Sequence, residues 1–191
     1  MENLNRAYRW DCRYFGWKAD LTHEDLQGVY WTNINEIPNN GIDDDANGYI
    51  DDIHGVNTID GNGDIQGKEF SITTGIAGII SANSNNKIGI SGITSNDKIL
   101  PCVHLGTDTT ISQLSECFSY VIDQKTNHAQ NIHSIIIPWG IEVAHVNMAE
   151  PIRELIDTLI PYEIFVVTAA GLTNGGLDIS PDIPGSYNSP V

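Results

Sequence analysis

The stretches that decide the fold are KILPCVHL at residues 98–105, HSIIIPW at 133–139 and EIFVVTAA at 163–170. Each is dense in branched aliphatic residues without polar alternation, which is typical of strands buried on both faces of a sheet. Between them, residues 110–125 and 147–159 carry apolar residues at helical spacing. This order predicts a mostly parallel sheet with crossover helices, an α/β fold whose ligands bind beyond the carboxyl ends of the strands.

Composition indicates a single domain and argues against polyanionic partners. The chain has 191 residues, 40% of them hydrophobic, which is enough for one domain with its own core, so we expect residues 1–191 to form one unit. Its 25 acidic and 9 basic residues give a formal net charge of −16. Because binding to nucleic acids and anionic membranes needs clustered Lys and Arg, neither is an expected partner. No apolar run approaches 18 residues, so we expect no membrane insertion.

The three cysteines, Cys12, Cys102 and Cys117, have no metal-ligand spacing and allow at most one internal disulfide. Cys102 lies in a strand-like run and Cys117 in a helical one, so we expect both to be buried free thiols. The cysteines alone do not fix the compartment.

Residues 41–54 (GIDDDANGYIDDIH) predict a calcium loop. A hard cation takes several oxygens at short range, and alternate residues of a tight loop can direct them inward. The expected ligands are the side chains of Asp43, Asp45, Asn47 and Asp51 and the carbonyl of Tyr49. The twelfth position of the loop is a histidine where an EF-hand has a bidentate glutamate, so the loop lies outside an EF-hand domain. The alternative is a turn rich in Asp and Asn whose carboxylates are solvated.

A longer segment brings a family resemblance. Residues 31–57 (WTNINEIPNNGIDDDANGYIDDIHGVN) resemble a block found in many subtilisin-like serine proteases, or subtilases, of bacteria and apicomplexan parasites. Further matches follow in the family's order through NNKIGISGI at 85–93, SIIIPWG at 134–140 and FVVTAAG at 165–171. The resemblance covers about residues 14–190. It implies a three-layer fold, with helices on both faces of a mostly parallel sheet and incomplete at its carboxyl end.

The same alignment leaves the catalytic positions without suitable side chains. The family's aspartate position is Gly16, its histidine position is Ile72 and its oxyanion asparagine position is Leu172. The segment that would carry the nucleophilic serine falls after Val191. Proton transfer and oxyanion stabilisation need groups that Gly, Ile and Leu do not have, so we expect no catalytic residue in this chain.

The resemblance also implies a second calcium site. In subtilases an aspartate after the first strand joins a loop that here is residues 84–90. The implied ligands are the side chains of Asp25 and Asn86 and the carbonyls of Ser84, Ile88 and Ile90. Such a site stabilises a loop independently of catalysis.

Three hypotheses about function follow. The first is an inactive, calcium-stabilised pseudoprotease that binds a protein or peptide, with peptide rims around residues 112–116 and 138–141. The second is a subtilisin-like endopeptidase whose catalytic residues lie partly outside this chain. The third is a nonfunctional truncated product. The family suggests the secretory route, the cell surface or the extracellular space, and the sequence does not determine the oligomeric state.

Overall fold

The computed structural model describes residues 11–67, 71–94, 96–105, 110–142, 146–171 and 182–187. The strands are β1 (Asp11–Gly16), β2 (Val56–Asn57), β3 (Ile99–Val103), β4 (Ile132–Ile137), β5 (Ile141–Glu142), β6 (Phe165–Thr168) and β7 (Asp182–Ile183). The helices are α1 (Ile72–Ser81), α2 (Ile111–Thr126) and α3 (Val146–Asp157), with 3-10 turns at Glu24–Leu26 and Ile160–Tyr162.

The main sheet has five strands in the order β2-β3-β1-β4-β6, and every pairing in it is parallel. The strands and helices predicted from the apolar runs are found within a few residues of their expected bounds. Strands β5 and β7 form a separate antiparallel pair. The α/β fold class is therefore confirmed.

Alternate residues of the central strands pack into two different cores, because successive side chains of a strand point to opposite faces. Ile135 and Ile137 belong to the cluster that includes the buried residues of α2 and α3. Ile136 packs against the second cluster, which includes Ala77 and Ala82 at α1. Helices thus cover both faces of the sheet.

Local polar residues set the ends of two helices. The Ser71 hydroxyl accepts a hydrogen bond from the backbone amide of Thr73 at the start of α1. At α2, Thr110 and Gln113 form a reciprocal capping box. These bonds satisfy amide groups that the first helical turn leaves without partners.

The cysteines correct the sequence-based expectation of free thiols. Cys102 and Cys117 are fully buried, as expected, but they form a disulfide with their Cα atoms 5.9 Å apart. The pairing arises because α2 packs across β3 and brings the two positions within bonding range. The bond therefore joins the sheet to α2. Among the described residues, no helix is both long enough and apolar enough to cross a bilayer.

Candidate functional site

The carboxyl end of β1 and the start of α1 lie together at one edge of the sheet. The hydroxyl of Thr73 in α1 donates to the carbonyl of Trp17 (2.7 Å), and that of Ser71 donates to the carbonyl of Lys18 (2.5 Å). Gly16, which ends β1, and Ile72, which begins α1, therefore sit at neighbouring positions. Neither has a titratable side chain. Leu172, the third family position, lies outside the described residues.

A buried histidine, His104, lies at the same edge, directly after β3. The backbone amide of His104 donates to the carbonyl of Gly16 (3.1 Å), and the imidazole is fully buried. Its ring lies 5.3 Å from the Trp139 ring, centroid to centroid. Burial lowers the pKa of His104 to about 4, with a smaller opposing effect from a backbone hydrogen bond at Cys102. A neutral imidazole without solvent access contributes to packing and cannot exchange protons with a bound substrate.

The two predicted peptide rims differ in their exposure to solvent. Ser112 is exposed on the first turn of α2, and its hydroxyl donates to Glu116 (3.5 Å). Pro138 and Trp139 are half-buried, and Trp139 packs against the core beneath α2 and α3. The α2 rim is thus exposed at Ser112, buried at Leu114 and half-buried at the other three positions, whereas the second rim serves largely as packing.

Asp25 lies against the loop of residues 84–90, the second implied calcium site. The Asp25 side chain is buried and accepts hydrogen bonds from the Asn86 side-chain amide (2.7 Å) and the Ile90 backbone amide (2.8 Å). These two bonds, that from Asn86 first, lower the pKa of Asp25. A Cβ on Gly89 would lie 2.2 Å from an Asp25 oxygen, so only glycine permits this approach. The donors around Asp25 are amides. The carbonyls of Ser84, Ile88 and Ile90 belong to the same loop. A cation would need Asn86 to turn its carbonyl oxygen inward.

The carboxylates of the acidic loop, residues 41–54, have two different roles: some accept hydrogen bonds from the backbone of the loop, and Asp45 belongs to a cluster of acids. Asp43 accepts from the backbone amides of Asn47 (3.1 Å) and Gly48 (2.8 Å). Asp51 accepts from the backbone amides of Asn40 (3.1 Å) and Gly41 (3.0 Å). These carboxylates shape turns. The side-chain oxygen of Asn47 likewise accepts from the Tyr49 amide (2.9 Å).

Asp45 instead lies close to two buried acidic residues, Glu36 and Asp52. One carboxylate oxygen from each of Glu36, Asp45 and Asp52 lies within 4.8 Å of the others. Glu36 is 6% exposed and Asp52 is fully buried. One oxygen of Glu36 accepts from the amides of Asp44 (2.8 Å) and Asp45 (3.1 Å). Its other oxygen, Oε2, is buried without a hydrogen-bond partner among the described residues.

Asp52 is the most heavily bonded member of this acidic cluster (Glu36, Asp45 and Asp52). Asn33 donates to its Oδ1 (3.0 Å), and Asn47 (2.9 Å) and Tyr120 (2.5 Å) donate to its Oδ2. Burial raises the pKa of Asp52 to about 6, although the three hydrogen bonds oppose that shift. The carboxylate is therefore costly to keep charged, and a cation would favour the charged form.

The spacing of the acidic loop did not single out Glu36 and Asp52. Glu36 lies outside residues 41–54, and Asp52 is one place after the expected ligand Asp51. The signal that could have found Glu36 is the longer block at 31–57, in which Asn33 and Glu36 occupy fixed places before the aspartates. The fold brings these segments together, which loop spacing alone cannot reveal.

Known proteins resemble this chain in sequence over part of its length. It is 39% identical over 112 residues to Subtilisin-like protease 1 of Plasmodium berghei (strain Anka), an alignment that covers 56% of this chain and 18% of that protein. It is 32% identical over 111 residues to Subtilisin-like protease 1 of Plasmodium vivax, with the same shares covered. The chain thus spans under a fifth of the length of these relatives. No family model matches the chain.

Solved structures resemble it over nearly its whole length. The epidermin leader peptide processing serine protease of Staphylococcus aureus aligns with a TM-score of 0.56 and 16% identity, covering 94% of this chain and 44% of that one. A mutant of the protease domain of PatA aligns with a TM-score of 0.58 and 15% identity, covering 94% and 56%. At these identities the similarity establishes the fold. Over the part that it shares with these relatives, the chain is similar in sequence to subtilisin-like proteases, and it has an α/β fold of the kind found in the solved serine proteases.

Proposed function

We propose that the chain is a catalytically inactive subtilisin-like domain that binds calcium and recognises a protein or peptide. The observation that carries this proposal is the pair Gly16 and Ile72, at the end of β1 and the start of α1. These are the positions where the family resemblance expects an aspartate and a histidine. The side chain of Thr73, next to Ile72, is bonded to the backbone just after Gly16 (2.7 Å), which supports the alignment of both positions.

Peptide hydrolysis by this family needs a base, a group that orients the base and oxyanion donors. Glycine and isoleucine cannot fill the first two roles. His104 lies next to Gly16, but its imidazole is fully buried and its low pKa keeps it neutral. Loss of several members of such a set removes many orders of magnitude in rate, so binding is the activity left.

Calcium is the proposed cofactor, and the acidic cluster is the better-supported site. Carboxylates about 5 Å apart repel by roughly 3 kcal/mol per pair at an effective dielectric constant of about 20. A hard divalent cation removes this repulsion and takes oxygen ligands of the kind that Glu36 Oε2 offers. Asp25 and Asn86 are a second proposed site, which would form if the Asn86 amide turned.

The proposed partner is an extended protein or peptide segment at the α2 rim, Ser112–Glu116, whose first residue is exposed. We propose a location in the secretory route, at the cell surface or outside the cell. The Cys102–Cys117 disulfide supports this location because such bonds persist in oxidising compartments. Extracellular calcium would also suffice for weak sites.

Labelling with a fluorophosphonate probe, which reports an activated serine, tests the inactivity. We expect the purified protein to remain unlabelled with calcium present, alongside an active subtilisin that is labelled under the same conditions. Labelling that disappears on heat denaturation, together with hydrolysis of fluorogenic peptides, would instead establish the endopeptidase. That alternative is favoured by the 39% identity to a named protease.

A further inference from the structure

Asp52 connects the acidic loop to helix α2. Its carboxylate is fully buried and accepts from the Tyr120 hydroxyl of α2 (2.5 Å) as well as from Asn33 (3.0 Å) and Asn47 (2.9 Å). Tyr120 is 3% exposed. A charge-assisted hydrogen bond at a buried site holds its acceptor in a narrow range of positions. The position of Asp52 is therefore set partly by a residue far from the loop in sequence.

A second contact supports the same connection. The ring of Tyr49, within the loop, meets the ring of Tyr120 edge-on, with centroids 5.5 Å apart and an interplanar angle of 85°. Burial raises the pKa of Tyr49 to about 12, and the negative charge of Glu116, one turn before Tyr120 on α2, adds to that shift. The loop thus docks on α2 through the ring contact of Tyr49 with Tyr120 and the hydrogen bond from Tyr120 to Asp52.

On its other side, Asp52 is tied to the rest of the acidic cluster. The Asn33 amide donates to both Asp45 (3.0 Å) and Asp52 (3.0 Å), and so fixes the two carboxylates relative to each other. Neither Asn33 nor Tyr120 is one of the three acids whose carboxylate oxygens form the cluster. Their hydrogen bonds orient residues that do, which is how residues around a metal site tune its affinity.

Resting on the calcium site proposed above, we propose that Tyr120 is a positioning residue of that site and that cation binding at Glu36, Asp45 and Asp52 is coupled to the docking of α2. If docked α2 orients Asp52 for the cation, then the cation must stabilise docked α2 by the same free energy. The first turns of α2 carry the proposed peptide rim, Ser112–Glu116, of which Ser112 is exposed. Calcium therefore regulates the order of the proposed peptide-binding surface.

The test compares two Tyr→Phe variants that each remove one hydroxyl bonded to an aspartate. Tyr120→Phe removes the bond to Asp52. The control, Tyr187→Phe, removes the bond to Asp157 (2.7 Å), which lies on α3 and outside the acidic cluster. Calcium binding is measured by isothermal titration calorimetry. We expect the Kd to rise about 10-fold or more in Tyr120→Phe and to change less than about twofold in Tyr187→Phe.

Hydrogen–deuterium exchange of the wild-type protein supplies a readout that needs no variant. Calcium is expected to slow exchange along α2, including its first turns at Ser112–Glu116, as well as in the acidic loop, and Tyr120→Phe is expected to lose the α2 response. Absence of calcium binding by the wild type would refute the calcium site and this coupling together. Wild-type binding with no slowing of α2 exchange, or with an unchanged Kd in a folded Tyr120→Phe protein, would overturn only the coupling.

Discussion

The neutral, buried imidazole of His104 makes a quantitative prediction about stability below neutral pH. Burial lowers its pKa from 6.5 to about 4 in the folded protein. Between these values the unfolded chain binds a proton that the folded chain does not. Stability from this residue is therefore present above pH 6.5 and is lost as pH falls towards 4.

The size of the effect follows from the shift. A difference of about 2.5 pKa units corresponds to about 3 kcal/mol, of which about 2.5 kcal/mol is lost between pH 7 and pH 4.5. Asp52 acts in the opposite direction, because its pKa is raised to about 6 and its contribution grows as pH falls from about 6 to about 4. The change in wild-type stability between these pH values therefore contains a loss from His104 and an opposing gain from Asp52.

The assay is urea unfolding followed by tryptophan fluorescence at pH 7 and pH 4.5, in calcium-free buffer. His104→Gln removes the titration and leaves the Asp52 contribution in place. We expect the free-energy difference between the wild type and this variant to change by about 2.5 kcal/mol between the two pH values. His23→Gln, at an exposed position, is the control for loss of an imidazole elsewhere. A wild-type to His104→Gln difference that is the same at both pH values would refute a buried neutral His104.

Substitutions at the acidic cluster, the disulfide and the sheet face test the remaining structural claims. Glu36→Gln removes one of three mutually repelling carboxylates, so we expect it to raise the thermal midpoint in EDTA and to lose most of the calcium-induced rise; parallel changes in EDTA and calcium would contradict a cation site. Cys117→Ser opens a disulfide that spans 15 residues, which should lower the unfolding free energy by about 3 kcal/mol in denaturant titrations. Cys12→Ser is its control, and equal losses in both variants would count against the assigned pairing. Phe165 and Val167 are 63% and 53% exposed, so Phe165→Glu should reduce binding of the dye ANS while changing stability by less than about 0.5 kcal/mol. A cooperative loss of folding in that variant would show that Phe165 is covered.

Several predictions from sequence succeeded because they depend on local periodicity. The apolar runs around residues 99–103 and 132–137 are long and branched enough to be strands whatever surrounds them. The amphipathic spacing between them requires helices that pack back on the sheet, which is confirmed by the position of α2. The block at 31–57 indicated the resemblance to subtilisin-like proteases because many fixed positions coincide, and the sequence relatives support it. The catalytic positions that it assigns to Gly16 and Ile72 stay predictions.

The pairing of Cys102 with Cys117 and the grouping of Glu36, Asp45 and Asp52 were not accessible in this way. Both depend on distances between segments whose separation in space is set by packing. The loop spacing identified Asp45, and Glu36 and Asp52 join it only because the chain before the loop and Tyr120 of α2 fold against it.

The sequence by itself determined the strands, the helices, the resemblance to subtilisin-like proteases and the absence of titratable groups at Gly16 and Ile72, since these depend on residue identity and on neighbours along the chain. Tertiary structure alone decided which acids meet, which thiols bond and that His104 is kept neutral. The physical reason is that charge, redox and protonation states respond to distance and burial, and in this chain both are created by contacts between residues remote in sequence.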